Sequence, residues 1–366
     1  MGIFVLSPEM QRAIDRAGRW FLESGIQEAN GGVARYYRSD LASNAGISTE
    51  ITGYAVSTLL YLYQLTGDAA YREGALRAAR FLVGTAWDPK LRTFPFEYPA
   101  NGTRGLTYFF DCGIIARALL AAWRVSDDAI FRDTAIATGR SMAADFRVHE
   151  TIHPILALPD KQPLPYEPRW SAAPGCYQLK SAMAWYDLFE ATRDTEFLQA
   201  YENAVDSALR TEADFLPGAS SQEKVMDRLH AYLYFLEGLL PVLDRSACAQ
   251  VYRRGIERVA GYLREIAPAF ARSDVYAQLL RARLYGESLA GIPLEFADAA
   301  HEAEHVCRFQ VDSTDRRTHG GYFFGRKSQE PLPFVNPASA AFCLQALSLW
   351  EARKKNALEA GRGTLI

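Results

Sequence analysis

Apolar residues fall along this chain in two alternating kinds of helical stretch. The clearest pair runs from Ser48 to Val83. After a polar start (Ser48, Thr49, Glu50), its first half is apolar and aromatic on every side, as a helix buried all round must be. Its second half is amphipathic: Tyr71, Ala75, Ala78, Ala79 and Leu82 recur at helical spacing against Arg72, Glu73, Arg77 and Arg80, which predicts a helix lying against the first from outside. Between them Thr66-Gly67-Asp68 offers a glycine to end one helix and an aspartate to cap the next. The same punctuation returns as Ser126-Asp127-Asp128 before Phe131 and as Thr192-Arg193-Asp194 before Phe197. A weaker copy, Leu243-Asp244-Arg245-Ser246, leads into Tyr252.

Self-similarity of this kind predicts a repeat architecture. Further apolar helices are expected from Tyr108, from Gly175, from Val225, from Ser273 and from Asn336. Their amphipathic partners are expected over 128–146, 194–215, 246–266 and 293–309. A first helix, from the Ser7-Pro8-Glu9 start to about Ser24, has no apolar helix before it and is left to pair with the last one. Six inner helices, six outer helices and a first helix that must join the last predict a closed ring: an all-α (α/α)6 toroid. It is expected as one domain over residues 1–356, followed by a flexible tail over 357–366.

Composition narrows the picture. The chain has 366 residues, 49% hydrophobic and 23% charged, with a net charge of −3. It carries no basic field for nucleic acid and no cationic patch for an anionic membrane. Nowhere are there enough consecutive apolar residues for a spanning helix, and the N-terminus lacks a basic leader region. Met1-Gly2 is not followed by the serine or threonine that myristoylation needs, since Leu6 stands there. Five scattered cysteines, never in CxxC spacing, read as small buried residues in a reducing compartment. A cytoplasmic protein is expected.

The Gly-Gly-aromatic loops (Gly31-Gly32 before Tyr36, and Gly320-Gly321-Tyr322), an inner helix after each long loop, and the Thr-Gly-Asp-x-x-Tyr type of turn resemble the six-hairpin toroids of carbohydrate enzymes. Those include glycoside hydrolases, unsaturated-glucuronyl hydrolases, the N-acylglucosamine 2-epimerase family and the helical domain of D-glucuronyl C5-epimerase. The resemblance implies the toroid and a saccharide substrate; it matches no single family's catalytic motif.

In such a ring the inner N-termini converge on one mouth, and the inner helices here are polar mainly at their starts. Glu50 and Tyr54 lie one turn apart on the first. Tyr108 and Asp111 open the second, and Tyr177, Gln178, Ser181 and Trp185 follow on the third. Asp227, His230 and Tyr234 share a face of the fourth, Asp274 and Gln278 a face of the fifth, and Asn336 opens the sixth. Loops add Tyr36, Tyr98, Trp170, His319 and Tyr322. Flat aromatic faces to stack on and acids to move protons are what a sugar site needs. Each residue has a plainer use as well. Acids in a first turn serve as caps or dipole partners, Asp227 can pair with Arg228, and His230 and the tyrosines can be core.

One short motif points elsewhere. His301-Glu302-Ala303-Glu304-His305 fits H-E-x-x-H, in which two histidines bind zinc and the glutamate acts as base. A third ligand would have to come from Asp312, Asp315 or His319. The histidines fall on the polar side of an outer helix, so the match is read as chance and no metal is expected. With no phosphate loop, Rossmann fingerprint or GxSxG elbow, no cofactor is expected either.

The reading is then a cofactor-free glycoside hydrolase, with Glu50, Asp111 and Asp227 as acid/base candidates and Tyr98, Trp170 and Trp185 binding sugar. The alternatives are an epimerase or uronate lyase using His230, His319 or a tyrosine as base, and a non-catalytic glycan- or protein-binding toroid.

Overall fold

The computed structural model describes residues 8–98, 105–148, 151–358 and 360–366. The expected serine cap at Ser7 and the Met1-Gly2 start lie outside them. Twelve α-helices are found among the described residues. The inner six are α2 (Thr49–Thr66), α4 (Phe109–Ser126), α6 (Leu179–Thr192), α8 (Gln222–Gly238), α10 (Ser273–Ala290) and α12 (Pro337–Lys354). The outer six are α1 (Pro8–Glu23), α3 (Ala69–Phe81), α5 (Ala129–Asp145), α7 (Thr195–Thr211), α9 (Ser246–Ile266) and α11 (Phe296–Cys307). Each inner helix packs on the next and α12 returns to α2, so the ring closes. Each outer helix backs the inner one before it, and α1 backs α12. This is the (α/α)6 toroid that the hydrophobic pattern predicts.

The repeated turns show why the hairpins form. Gly67, Asp127 and Arg193 all adopt the left-handed conformation at the end of their inner helix. The hydroxyls of Thr66, Ser126 and Thr192 each donate to the carbonyl four residues back and accept from the amide of the following aspartate. Asp68, Asp128 and Asp194 then accept from the amides of Ala70, Ile130 and Glu196, capping the outer helix. One short polar triplet thus satisfies donors and acceptors on both sides of the corner. The weaker fourth copy lacks the device: Arg245 precedes α9 without a side-chain cap.

Inner helices also approach closely. A Cβ added to Gly113 of α4 would lie 2.4 Å from the Ser181 carbonyl oxygen of α6, and one added to Gly238 of α8 would lie 2.6 Å from the Leu179 backbone. Cys112, Cys176, Cys248 and Cys343 are buried, Cys307 is exposed, and all five are free thiols. Short antiparallel strand pairs tie together the loops that precede the inner helices. Tyr37–Arg38 pairs with Phe334–Val335, Ile47–Ser48 with Glu97–Tyr98, Leu106–Tyr108 with Ile155–Ala157, and Phe270–Arg272 with Gly325–Lys327. They build the rim of the mouth.

The segment after α12 corrects one expectation. Instead of fraying, residues 360–366 fold back into the lower part of the ring. Ala360, Leu365 and Ile366 are buried. Lys180 donates to the Ile366 carbonyl oxygen at 2.8 Å, Arg117 donates to that of Leu365 at 3.4 Å, and the Ile366 amide donates to Gln345 Oε1 at 3.2 Å. The segment ends in the apolar pair Leu365-Ile366, and its backbone bonds to polar groups standing inside the ring. No helix among the described residues is long and apolar enough to cross a membrane.

Candidate active site

At the mouth, the starts of α2, α4, α6 and α8 enclose a cavity of about 270 Å³. Glu50, Phe110, Asp111, His230 and Tyr234 line it from the helices, and Tyr108, Tyr177 and Gln178 from just before α4 and α6. Phe96, Pro154, Arg169, Trp170 and Ser171 line it from the loops.

Two carboxyl groups dominate its chemistry, and neither is occupied as a helix cap. Ser48 caps α2 by accepting from the Ile51 amide, and Tyr108 precedes α4 without a side-chain cap. Burial, partly offset by the Arg35 guanidinium, pushes Glu50 up to about 7. Asp111 is raised well above the carboxylate range, by burial first and then by the neighbouring Glu50 charge. Asp111 is buried, and its Oδ2 has no hydrogen-bond partner among the described residues. A buried acceptor left without a partner costs about 1–3 kcal/mol. Structural carboxylates are rarely held that way, whereas proton-transfer groups are. Arg35, the nearest compensating charge, pairs with Glu97 at 2.7 Å and covers the Phe96 ring at 4.5 Å.

On the opposite wall stands His230. Its Nδ1 lies 2.6 Å from Gln278 Oε1 and 3.5 Å from Asp274 Oδ2. An amide oxygen only accepts, so Nδ1 carries the proton and Nε2 of the neutral ring is an acceptor. Burial holds His230 below its ordinary value, against the Asp274 charge. Burial also opposes ionisation of Asp274, but the bidentate Arg272 guanidinium at 2.9 and 2.6 Å outweighs it and keeps that carboxylate low. Beneath the cavity the Tyr54 and Tyr234 hydroxyls meet at 3.3 Å, with Phe342 edge-on to Tyr54.

The structure therefore brings together Glu50, Asp111, His230, Trp170, Tyr177 and Gln178, with Tyr54 just below. Trp170 meets Tyr177 edge-on at 4.9 Å. The amide of Gln178 is engaged by backbone, accepting from Gly175 and donating to Ile152. The other sequence candidates lie elsewhere. Asp227 stands half-exposed, paired with Arg272, and does not line the cavity. Tyr36 packs edge-on against Phe334 at the rim. Tyr98 packs against Phe81 of the outer helix α3. Trp185 points outward, donating its indole N–H to the Gly139 carbonyl of α5 at 2.9 Å. Tyr322 is core, 1% exposed. Asn336 caps α12 by accepting from Ala338 and Ser339. His319 sits beside Asp312 in an outer groove along α1.

Sequence reasoning passed over Arg35, Phe96 and Arg169 as site residues. All three come from loops whose neighbours are set by strand pairing. In the H-E-x-x-H stretch Glu302 is buried and accepts from Arg283 Nε at 2.8 and 3.0 Å. Among the described residues no cluster of three or more histidine, cysteine or acidic side chains could hold a metal ion.

Fold and cleft together define a six-hairpin toroid with two raised carboxyl groups at its mouth. Comparison with solved structures places the fold among toroid enzymes. A sugar epimerase from a ruminal bacterium matches with a TM-score of 0.72 at 10% identity, over 93% of this chain and 98% of that one. Cellobiose 2-epimerase from Bacillus thermoamylovorans matches with 0.71 at 12% identity, over 93% and 98%. The unsaturated glucuronyl hydrolase of Bacillus sp. GL1 matches with 0.65 at 15% identity, over 95% and 97%. At such identities the likeness is one of fold. No family model matches the sequence, and no curated protein matches it by sequence.

Proposed function

We propose that this chain is a carbohydrate-active enzyme that hydrolyses a glycosidic bond with Asp111 and Glu50. The observation that carries the reading is the buried, unpartnered Asp111 carboxyl beside a second carboxyl raised to about 7. Asp111, held protonated, gives its proton to the glycosidic oxygen as the C–O bond breaks. Glu50, the less strongly raised of the two, ionises first and takes a proton from the water that adds to the anomeric carbon. Trp170 and Tyr177 offer ring surface for the sugar. The saccharide substrate rests on this chemistry and on what the matched proteins are named for.

A second reading has its own support. The neutral His230, its Nδ1 proton held by Gln278, is equipped to remove a proton from a sugar carbon, and two of the matched folds belong to epimerases. The two readings separate in heavy water. Neutral and acidic oligosaccharides are incubated with the protein and analysed by chromatography and mass spectrometry. Hydrolysis yields shorter sugars with no deuterium on carbon, abolished in Asp111→Asn. Deuterium entering an uncleaved sugar, abolished in His230→Asn, would replace hydrolysis by epimerisation. Saccharide binding without any product would overturn both.

A further inference from the structure

A cavity of about 360 Å³ opens on the outer face between α9, α11 and the Phe270–Arg272/Gly325–Lys327 strand pair, within the range of small-molecule sites. Its floor is apolar and buried: Leu263, Leu279, Phe309 and the ring of Tyr276. His305 of the H-E-x-x-H stretch stacks on Tyr276 with ring centres 4.6 Å apart and planes 6° from parallel. Together these make a flat wall.

The charges around the opening do not cancel. Arg264 pairs with Asp298 at 3.7 Å, Arg308 with Glu304, and Arg283 behind the wall with Glu302 and Asp298. Arg326 is left over. Among the described residues no carboxylate pairs with it. One terminal nitrogen donates to the Arg308 carbonyl oxygen, its guanidinium covers Phe309 at 5.5 Å, and its Nε is buried without a partner. A partly exposed cation without a carboxylate partner, beside a flat apolar wall, is half of an ion pair.

We propose that this cavity is a second ligand site, separate from the mouth, for a small carboxylate with a flat apolar body. The carboxylate meets the open edge of Arg326, and the body lies along Tyr276, His305 and the leucine floor. The probes are 2-naphthoate and its neutral counterpart 2-naphthalenemethanol, titrated into the full chain by calorimetry. Naphthoate is expected to bind saturably at one site. Arg326→Gln should weaken it about tenfold or more, the loss of one charge-assisted pair, and leave the alcohol unchanged. Ala271→Leu, which narrows the cavity, should weaken both. Asp111→Asn at the mouth should change neither. Absence of saturable naphthoate binding, indifference to Arg326→Gln with the fold intact by melting temperature, or loss of binding in Asp111→Asn would each overturn the proposal. Arg326→Lys keeps the charge, and its partial retention of binding replaces the Gln result if that variant does not fold.

Discussion

The same inner helices carry buried ionisable groups at two levels, and the two levels are treated oppositely. On α8, His230 stands at the mouth and Glu237 two turns below it; on α10, Asp274 and Arg281 repeat that spacing, about 10 Å along each axis. At the lower level the charges meet partners. Glu237 bonds to Lys180 at 2.9 Å and to Arg281, Arg281 bonds to Gln345 at 2.9 Å, and the folded-back segment brings the Ile366 carbonyl to Lys180. Burial opposes ionisation of Glu237, but Arg281 and Lys180 outweigh it and hold it below the usual range. Lys180 is itself drawn down to about 7 by burial, so the guanidinium is the firmer counterion. At the mouth, Glu50 and Asp111 face a cavity where, among the described residues, Arg35 is the charge that offsets them. Scaffold and site thus differ less in residue type than in whether the charges are answered. An unanswered pair costs stability, and function is a reason to retain it.

That contrast can be broken from either side. The largest effect is expected at the mouth: Asp111→Asn should lower turnover of a cleaved saccharide by about 10²–10⁴-fold, with no loss of melting temperature. At the lower level Glu237→Gln should cost about 3–5 kcal/mol, because it leaves buried cations uncompensated, read from the urea midpoint. Leu365→Ala should cost about 2 kcal/mol or more if the folded-back segment is part of the core, and nothing if it is loose.

The smallest effect carries a sign that only the mouth predicts. A carboxyl raised in the folded state keeps its proton after the unfolded chain has released its own. Stability from Glu50 therefore falls as pH rises from the ordinary carboxylate value to about 7, and stays low above it. Glu50→Gln should raise the melting temperature by a few degrees at about pH 8 and leave it unchanged at about pH 4. A loss at pH 8 would mean that Glu50 is a structural partner.

Much of the scaffold was legible in the sequence, because it is local. Three polar triplets mark three corners, and the difference between all-round and one-sided apolar helices sorts inner from outer. The positions of Glu50, Asp111 and His230 were legible for a related reason: a polar residue among apolar neighbours can only face an opening or a partner. Trp185 and Tyr322 were not, since an aromatic ring in an apolar stretch looks the same whether it faces the cleft or the outer layer. Arg35 and Arg169 were hidden because strand pairs between loops set the rim, some joining residues as far apart as Tyr37 and Val335. The folded-back segment was misread because its burial depends on backbone carbonyls meeting Lys180 and Arg117, which no local pattern records.

The unanswered pair can be observed without knowing the substrate. Carboxyl carbon shifts of protein carrying ¹³C-labelled aspartate and glutamate would be followed from about pH 4 to about pH 9, with Asp111→Asn and Glu50→Gln to assign the signals. Of the carboxyls that titrate above the ordinary range, Glu302 on the outer face is raised to about 8 by burial, and the mouth pair should show Glu50 near 7 and Asp111 also raised. Removing Glu50 should lower Asp111. Both mouth groups ionising at ordinary carboxylate values, with Asp111 indifferent to loss of Glu50, would contradict the account.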